Sequence, residues 1–400
     1  MTAANASKLA DIALINPKLV KRPANDELIS FVPMSAVDAG TGTTESGEDR
    51  PFGEVSKGYT FFDDKDILVA KITPCFENGK IAQAGLHHRT GVGSTEFHVI
   101  RPDSSQLEAR YLLHFLRKPA IRLAGERRMT GSAGQRRVPE AFLAGLSIPT
   151  PPLDEQRRIA EVLDRADELR AKRREALAHL GDLTQSIFLN MFATSSADAW
   201  PVTTVAEVAR DSKSAIRTGP FGSQLLHSEF VEAGVAVLGI DNVVTNDFRW
   251  GERRFITEQK YSQLARYTVQ PGDVLITIMG TCGRCAVVPP DIPRAINTKH
   301  LCCISLDFNR CLPEFLHAYF LTHPIARRYL TQTAKGAIMA GLNMEIIKAL
   351  PVLLPPISLQ REFLGRLSAV KKVKESHQTS LAELDALFAS LQDRAFRGLL

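Results

Sequence analysis

The chain has 400 residues, of which 44% are hydrophobic and 23% are charged. This composition is close to the globular average and excludes a mainly disordered protein, and the length predicts two or three domains. The net charge of +5 is small, but eight Lys or Arg residues and a single acid lie between Arg110 and Pro139, a local excess that suits a polyanionic partner.

Neither a signal peptide nor a membrane span is predicted. The first residues lack a basic start followed by an apolar core, and no run of about 18 uncharged apolar residues occurs. We therefore expect a cytoplasmic protein without membrane contact, whose six cysteines are reduced.

The first part of the chain, residues 1–150, is predicted to be a mixed α/β globular region. Apolar or alternating runs favour strands at Asp66–Ile72 and Glu96–Ile100. Helices are predicted at about Leu107–Arg117 and Pro119–Arg128.

A glycine-containing loop, Met129–Pro139, follows these helices and carries basic side chains. Guanidinium groups suit phosphates and the guanine edge in the major groove, and a glutamine amide suits the adenine edge. A solvated basic loop is the plainer alternative. The DNA-binding candidates of this half are Lys71, Lys80, Arg127, Arg128, Gln135, Arg136 and Arg137.

A long spacer helix is predicted over 151–193. Apolar residues recur alternately three and four positions apart, which is the coiled-coil period. Arg170 and Arg173 interrupt this seam, and we expect them to reach solvent or Glu168, Glu175 and Glu375. The apolar seam residues are Ile159, Leu163, Leu177, Leu180 and Ile187.

The second globular region is predicted over 194–354. Its strands are expected at Val235–Ile240, Asp273–Ile278 and Leu301–Ser305, and its helices at Pro313–Thr322 and Pro324–Thr333. A rigid turn in RTGPFGSQL presents an aromatic ring and polar donors, and a second glycine loop begins at Thr333. The DNA-binding candidates of this half are Arg217, Thr218, Phe221, Ser223, Gln224, Arg284, Lys299 and Lys335.

The second half repeats the first. Pro151-Pro152 and Gln156 recur as Pro355-Pro356 and Gln360, an offset of 204 residues. A second spacer helix is predicted over 355–400, and its seam residues are Phe363, Leu367, Leu381, Leu384 and Leu391.

The duplication predicts that the two long helices pair with each other. Each helix then buries the apolar stripe of the other, whereas the alternative has each helix packing on its own globular region. The expected fold class is α+β, with two mixed α/β globular domains separated by two long helices in an antiparallel coiled coil.

Sequence signatures of catalysis are missing. The chain has no GxxxxGK(S/T) phosphate loop, no strand-associated GxGxxG, no Asn/Asp-Pro-Pro-Tyr/Phe methyltransferase signature and no HExxH or GxSxG. Cys282, Cys285, Cys302 and Cys303 are a weak zinc candidate, because adjacent strand residues point to opposite faces. We expect no catalytic, cofactor or metal site in this chain.

The chain resembles the specificity (S) subunits of type I restriction-modification systems over essentially its whole length. The resemblance rests on RTGPFGSQL at 217–225, GDVLITIMGTCG at 272–283, and the repeated segments SIPTPPLDEQRRIAEVLD at 147–164 and LPVLLPPISLQREF at 350–363. PPLDEQRRIA is the more specific of these, because its pattern recurs after a glycine loop and before a long helix.

This resemblance implies a non-enzymatic DNA specificity subunit. The two globular regions would be target recognition domains, each reading one half of a bipartite target in double-stranded DNA. The helices would set the spacing and bind two methyltransferase subunits, and motor-nuclease restriction subunits would join the complex. S-adenosylmethionine and ATP with Mg²⁺ would act in those partners.

The chain departs from the family pattern in two places. The first half has no TGPFGS turn, which predicts unlike half-sites, and the second helix begins PPISLQREF, without the Glu before Gln. Two other classes stay open: a DNA-cleaving enzyme using Asp63, Asp64 and Asp66 with Lys71, and a coiled-coil scaffold.

Overall fold

The computed structural model describes residues 6–45, 48–132, 134–193, 200–334 and 341–400. The chain divides into two compact units, the first comprising residues 1–177 and 376–400 and the second residues 178–375. Each unit combines helices with sheets and contains part of both long helices. Across the described ranges, no helix is long and apolar enough to cross a membrane.

The first unit begins with short strands and ends with helical segments. Its strands are β1 (Ala6–Lys8), β2 (Ala13–Ile15), β3 (Leu28–Val32), β4 (Val37–Asp38), β5 (Thr43–Thr44), β6 (Asp49–Pro51), β7 (Thr60–Asp63), β8 (Ile67–Ala70), β9 (Ile81–Gln83), β10 (Thr90–Gly93), β11 (Phe97–Pro102) and β12 (Ser147–Pro149). Its helices are α1 (Leu9–Ile12), α2 (Phe52–Val55), α3 (Ala109–Leu116), α4 (Pro119–Glu126), α5 (Glu140–Ala144) and the first part of α6 (Leu153–Phe192).

In its described residues, the second unit has the same order of elements except for counterparts of β4 and β5. Its strands are β13 (Val202–Thr204), β14 (Ile216–Thr218), β15 (Val235–Leu238), β16 (Phe255–Ile256), β17 (Thr268–Val269), β18 (Val274–Thr277), β19 (Cys285–Val287), β20 (Ala295–Asn297), β21 (Leu301–Ile304) and β22 (Pro351–Leu353). Its helices are α7 (Val205–Val208), α8 (Glu258–Leu264), α9 (Pro313–Thr322), α10 (Pro324–Ala334), α11 (Met344–Lys348) and the first part of α12 (Ile357–Ala395). The strands and short helices predicted above are confirmed, with ends that differ by at most two residues.

The two units repeat one sheet topology. A four-stranded sheet has the order β6-β3-β10-β7 in the first unit and β16-β15-β20-β17 in the second, and its two central strands are parallel in both. A second sheet runs β2-β11-β8-β9 in the first unit, where β5 and β4 extend it, and β14-β21-β18-β19 in the second. The predicted duplication is therefore confirmed at the level of the fold.

A buried glutamine fastens the start of α6 to the first unit. The side chain of Gln156 is fully buried, and its Oε1 accepts a hydrogen bond from the N–H of Glu108, the residue that caps α3, at 2.9 Å. Its Nε2 donates to the carbonyl oxygens of Gln106 and Pro151, both at 2.9 Å. One amide thus satisfies three backbone groups that would otherwise be buried without partners.

Gln360 repeats this arrangement at the start of α12. It is also fully buried, and it accepts a hydrogen bond from the N–H of Leu312, the residue that caps α9, at 2.8 Å. Its Nε2 donates to the carbonyl oxygens of Arg310 at 3.0 Å and Pro355 at 2.9 Å. All four residues lie 204 positions after their counterparts, which gives the repeated Pro-Pro-x-x-x-Gln spacing a structural reason.

Within each unit, the start of one long helix packs beside the end of the other. In the first unit, Ile159 of α6 and Phe396, just after α12, share one hydrophobic core. In the second, the rings of Phe188 and Phe192 near the end of α6 lie 5.5 and 5.3 Å from the ring of Phe363. The helices run antiparallel in both units, as predicted, rather than packing only on their own globular regions.

Arg170, one of the basic interruptions of the seam, takes different partners from those expected. Arg170 is paired with Asp167 and, at 2.6 Å, with Asp385, while Glu168 pairs with Lys172. The correction has a geometric reason, since Asp385 lies on the facing helix at the level of Arg170, and the carboxylate is within reach across the seam.

The duplicated helices are not equivalent at this level. Arg173 approaches its own counterpart, His377, with 3.0 Å between Nη1 and Nδ1. The counterpart of Arg170 is Lys374, which is exposed, and the counterpart of Asp385 is Gly181, which has no side chain to pair with a cation. The Arg170–Asp385 ion pair of the first unit therefore has no equivalent at the counterpart positions, Lys374 and Gly181, in the second unit.

Helix α12 ends earlier than the predicted limit at residue 400. Its last helical residue is Ala395, and Gly398 takes a left-handed φ of 70°. The N–H of Leu399 then bonds to the carbonyl oxygen of Arg394 at 2.9 Å, which closes the helix.

We predict that Gln156→Leu and Gln360→Leu each destabilise the protein by about 2–4 kcal/mol, because each leaves one buried N–H and two buried carbonyls without partners. The free energy of unfolding from urea titrations measures this. Arg157→Ala is the control, since this exposed neighbour should change stability by less than about 0.5 kcal/mol. Equal stabilities for Gln156→Leu and Arg157→Ala would contradict the anchoring role.

Candidate functional site

In the first unit, the predicted basic loop forms a short hairpin beside the segment that follows β8. The N–H of Arg137 donates to the carbonyl of Thr130 at 2.8 Å, and the reverse bond is 3.0 Å. The N–H of Val138 donates to the carbonyl of Lys71 at 2.8 Å. The structure thus brings Lys71, Arg136 and Arg137 together.

Two arginines of this hairpin face carboxylates of the same unit. Arg137 contacts both oxygens of Glu96, at 2.9 and 2.8 Å, and this hydrogen bonding lowers the pKa of the Glu96 carboxyl. Arg136 lies 3.7 Å from Glu77. These pairs orient the guanidinium groups while each keeps a substantial exposed fraction, 42% for Arg137 and 43% for Arg136.

The other predicted residues of the first unit differ in exposure. Arg127, Arg128 and Gln135 are exposed. Lys80 is directed inward, since its ammonium donates to the carbonyl oxygen of Met34 at 2.7 Å. Among the predicted residues of this unit, those that face outward therefore lie at the end of α4 and in the hairpin.

In the second unit, a glycine brings the predicted turn against the segment that carries Lys299. A Cβ on Gly219 would lie 2.0 Å from the carbonyl oxygen of Asn297, so no larger residue fits there. The turn presents Phe221, which is 50% exposed, together with the exposed residues Ser223 and Gln224. Backbone contact thus joins two predicted sites about 80 residues apart.

A cavity of about 350 Å³ lies beside this turn. Its lining residues come from four separate segments of the second unit: Pro220, Gly222, Leu225, His227, Phe230, Gly239, Ile240, Asp241, Arg254, Thr298, Lys299 and His300. Burial, with the charges of Lys299 and Arg254, lowers the pKa of His300, so this imidazole is neutral at pH 7.

Sequence analysis missed the Asp241–Arg254 ion pair at this cavity. The two side chains are in direct contact. Gly239 and Gly251 make room for them, because a Cβ on either glycine would lie 2.6 Å or less from an atom of the pair. The signal available in the sequence was RWGERR at 249–254, three arginines and a tryptophan in six residues.

Arg217, a predicted DNA contact, is occupied inside the sheet. Its guanidinium lies 3.0 Å from Asp273, which is 1% exposed, and it also donates to Ser305 at 3.0 Å. In the first unit, the equivalent buried carboxylate is that of Asp66. Its two oxygens accept hydrogen bonds of 2.9 and 2.7 Å from Arg101, which lies opposite it on β11. The arginine comes from β14 in one unit and from β11 in the other.

The remaining predicted residues of the second unit have separate positions. Thr218 ends β14, and Arg284 is exposed in the loop after β18. A Cβ on Gly280 of this loop would lie 3.4 Å from Ile240 in the cavity wall, so the loop borders the same region. Lys335 lies outside the described residues.

The carboxylates considered for DNA cleavage are engaged in internal bonds. Both oxygens of Asp66 contact Arg101, which also pairs with Asp63 at 2.9 Å. Asp64 accepts the N–H of Leu86 at 3.1 Å. Within the described ranges, no group of three or more His, Cys, Asp or Glu side chains could hold a metal ion.

The cysteines are divided among separate places. Cys302 and Cys303 are both fully buried but belong to different hydrophobic clusters on β21, in agreement with the expected alternation of strand side chains. Burial raises the pKa of Cys302 to about 12 and that of Cys303 well above its ordinary value. Such thiols are protonated and unreactive at neutral pH.

The outer faces of the long helices carry matched apolar residues. Leu169 and Leu387 in the first unit are 49% and 50% exposed, and Leu183 and Val373 in the second are 44% and 46% exposed. Val373 and Leu387 lie 204 residues after Leu169 and Leu183. Each unit therefore displays an equivalent exposed apolar pair.

Comparison with protein families finds a match over most of the chain. The family of the type I restriction modification DNA specificity domain matches residues 8–179 and 236–386. The type I restriction enzyme EcoEI specificity subunit of Escherichia coli is 48% identical over 152 residues, 38% of this chain and 25% of that protein. The EcoAI specificity subunit of Escherichia coli is 42% identical over 191 residues, 44% of this chain and 32% of that protein. The matched segments span about a quarter to a third of these two relatives.

Solved structures show the same fold. A chain from a structure of the type I restriction-modification system has a TM-score of 0.62 at 20% identity, covering 99% of this chain and 98% of that chain. The type I restriction-modification system S subunit from M. genitalium has a TM-score of 0.57 at 14% identity, covering 98% and 96%.

We predict that Arg217→Ala destabilises the protein by about 3–5 kcal/mol, because it leaves the buried Asp273 carboxylate without its cation. Arg284→Ala, an exposed arginine of the same unit, is the control and should change stability by less than about 0.5 kcal/mol. Thermal and urea unfolding measure both. An unchanged stability for Arg217→Ala would return this residue to the candidates for direct DNA contact.

Proposed function

This chain belongs to the type I restriction modification DNA specificity family, and we propose that it is the non-catalytic DNA-binding subunit of a type I restriction-modification complex. The observation that carries the proposal is the repeated unit: two copies of one sheet topology, each gathering basic side chains from separate loops. Basic loops on a rigid sheet suit DNA, since phosphate contacts give affinity and a few polar side chains select bases.

Each unit would read one half of a bipartite target in double-stranded DNA. The first unit offers the Arg136–Arg137 hairpin, whereas the second offers the turn at Phe221 and the cavity beside Lys299. Such different surfaces support unlike half-sites. The paired helices would set the gap, because both pass from one unit to the other.

Two methyltransferase subunits are the expected partners of the helices. The matched pairs Leu169 with Leu387 and Leu183 with Val373 support two similar docking sites, since exposed apolar groups in equivalent positions suit equivalent partners. Motor-nuclease subunits would complete the complex. Methylation with S-adenosylmethionine and cleavage with ATP and Mg²⁺ would take place in those partners.

Lengthening both helices tests the spacing. Copies of residues 174–177 and 372–375 inserted after Leu177 and Glu375 add one helical turn where the two units meet in sequence. At about 1.5 Å per residue this is ~6 Å, between one and two base pairs of DNA. We expect the mapped methylation sites to keep both half-site sequences with a gap one or two base pairs longer.

The same eight residues added after Leu400 serve as the control, because that position lies beyond α12 and leaves the Leu399 bond that closes the helix in place. This variant should methylate the original sites. An unchanged gap in the helix-lengthened variant, or altered half-site sequences, would contradict the role of the helices. The absence of any bipartite methylation pattern would contradict the proposed function itself.

Charge placed on the exposed apolar pairs tests docking. We expect Leu169→Glu with Leu387→Glu to remove one methyltransferase subunit, and Leu183→Glu with Val373→Glu to remove the other, because carboxylates are costly to bury in an interface. Native mass spectrometry of the assembled complex counts the subunits. As the control, Gln378→Glu adds a charge at an exposed helix position without removing apolar surface, and it should leave two methyltransferase subunits bound. If every variant binds two subunits, these apolar residues are not the docking sites.

A further inference from the structure

The shape of the cavity in the second unit limits which part of a DNA duplex it can bind. The major groove is itself concave, so protein groups that read base edges must protrude into it. The part of a duplex that projects outward is the sugar–phosphate backbone. A cavity of about 350 Å³ is therefore suited to a backbone unit, whereas the exposed turn at Phe221, Ser223 and Gln224 has the protruding form of a base reader.

The charges that line the cavity favour an anion. Arg254 and Lys299 are cationic, and the Asp241 carboxylate is already paired with the Arg254 guanidinium. The positive charge of Lys299 is thus left in excess. Asp241 acts as a positioning residue, since it fixes the direction of the Arg254 fork.

Two donors at the cavity are buried without a partner. Nε of Arg254 and Oγ1 of Thr298 form no hydrogen bond with any described residue, and neither does Oδ2 of Asp241, an acceptor of the same ion pair. A buried donor without a partner costs roughly 1–3 kcal/mol, so such groups usually meet an acceptor in the functional state. Phosphate oxygens are acceptors of this kind, and guanidinium groups bind them with matched geometry.

The apolar part of the wall suits the remainder of the ligand. Pro220, Leu225, Phe230 and Ile240 line the cavity beside the polar groups. A deoxyribose offers a largely apolar face next to its phosphate, whereas an inorganic anion would leave these side chains without contact.

We propose that this cavity binds one sugar–phosphate unit of the DNA backbone at the half-site read by the second unit. The assignment rests on the proposed DNA-binding function. Lys299 and Arg254 contact the phosphate, the apolar wall contacts the sugar, and the contact fixes the register of the neighbouring turn on the duplex without selecting a base.

A methylphosphonate scan tests the contact. DNA carrying the bipartite target is made with one neutral methylphosphonate at each successive backbone position, and binding is measured with the full chain assembled with its methyltransferase subunits. For the wild-type protein we expect one position in the second half-site to weaken binding about tenfold. Lys299→Ala should weaken binding to natural DNA by a similar factor and should lose clearly less affinity than the wild type at that position, where the Arg254 contact remains.

The salt dependence of binding and a matched control variant test the same contact independently. Lys299→Ala should lower the slope of log K against log salt by about 0.9 for target and non-target DNA alike, which is the value for one phosphate contact. Arg361→Ala removes one exposed cation of the same unit from α12 and should respond to the scan as the wild-type protein does. If Lys299→Ala loses as much affinity as the wild type at every position that affects the wild type, the assignment is overturned while the proposed function stands.

A free nucleotide is the other source of the same chemistry. Calorimetry with a deoxynucleoside monophosphate and no DNA should show no saturable binding that depends on Lys299. Tight binding that Lys299→Ala abolishes, together with a scan that finds no backbone position, would assign the cavity to a free nucleotide and overturn the DNA contact. If the wild-type complex binds no bipartite DNA, the proposed function fails first.

Discussion

The buried amide of one glutamine in each unit determines where a long helix begins and how it leaves its sheet. Gln156 and Gln360 each join the cap of a preceding helix, an upstream carbonyl and the proline before the long helix. Because all three partners are backbone groups, the arrangement does not depend on the surrounding side chains. The loops that differ between the units can therefore change without moving the helix.

This constraint makes the units interdependent. Each core combines the start of one long helix with the end of the other, so the first unit needs Phe396 from the end of the chain and the second needs Phe188 and Phe192 of α6. The first unit is not a continuous stretch of sequence, since it is completed by residues 376–400. A fragment ending near residue 150 would expose a core surface that residues 153–177 and 376–400 cover in the whole protein.

Periodic and repeated features were predictable from the sequence. The seam spacing predicted α6 to within two residues at each end, and the recurrence of Gln156 as Gln360 predicted the duplication. Both signals are local or repeated, so they need no knowledge of the fold.

The site was less predictable, because its geometry depends on distant pairs. In the sequence, Arg217 and Lys299 are both basic residues next to glycine-containing or polar turns. In the structure, Arg217 pairs with Asp273 inside the sheet, whereas Lys299 lines a cavity. The Asp241–Arg254 pair and the approach of Gly219 to Asn297 join segments with no common pattern. The candidate site of the first unit was easier to predict, because Arg136 and Arg137 are adjacent in sequence. The roles of these arginines stay predictions.

The two ways of neutralising the buried aspartate restrict how such chains can recombine. In the first unit the arginine stands on β11 and in the second on β14, each facing an equivalent carboxylate. An exchange of whole units keeps one arginine for each aspartate. A crossover inside the sheet would give one hybrid with two arginines and another with none, and the second would bury an uncompensated charge. Shuffling between the halves is therefore tolerated at the long helices and disfavoured between the strands of a sheet.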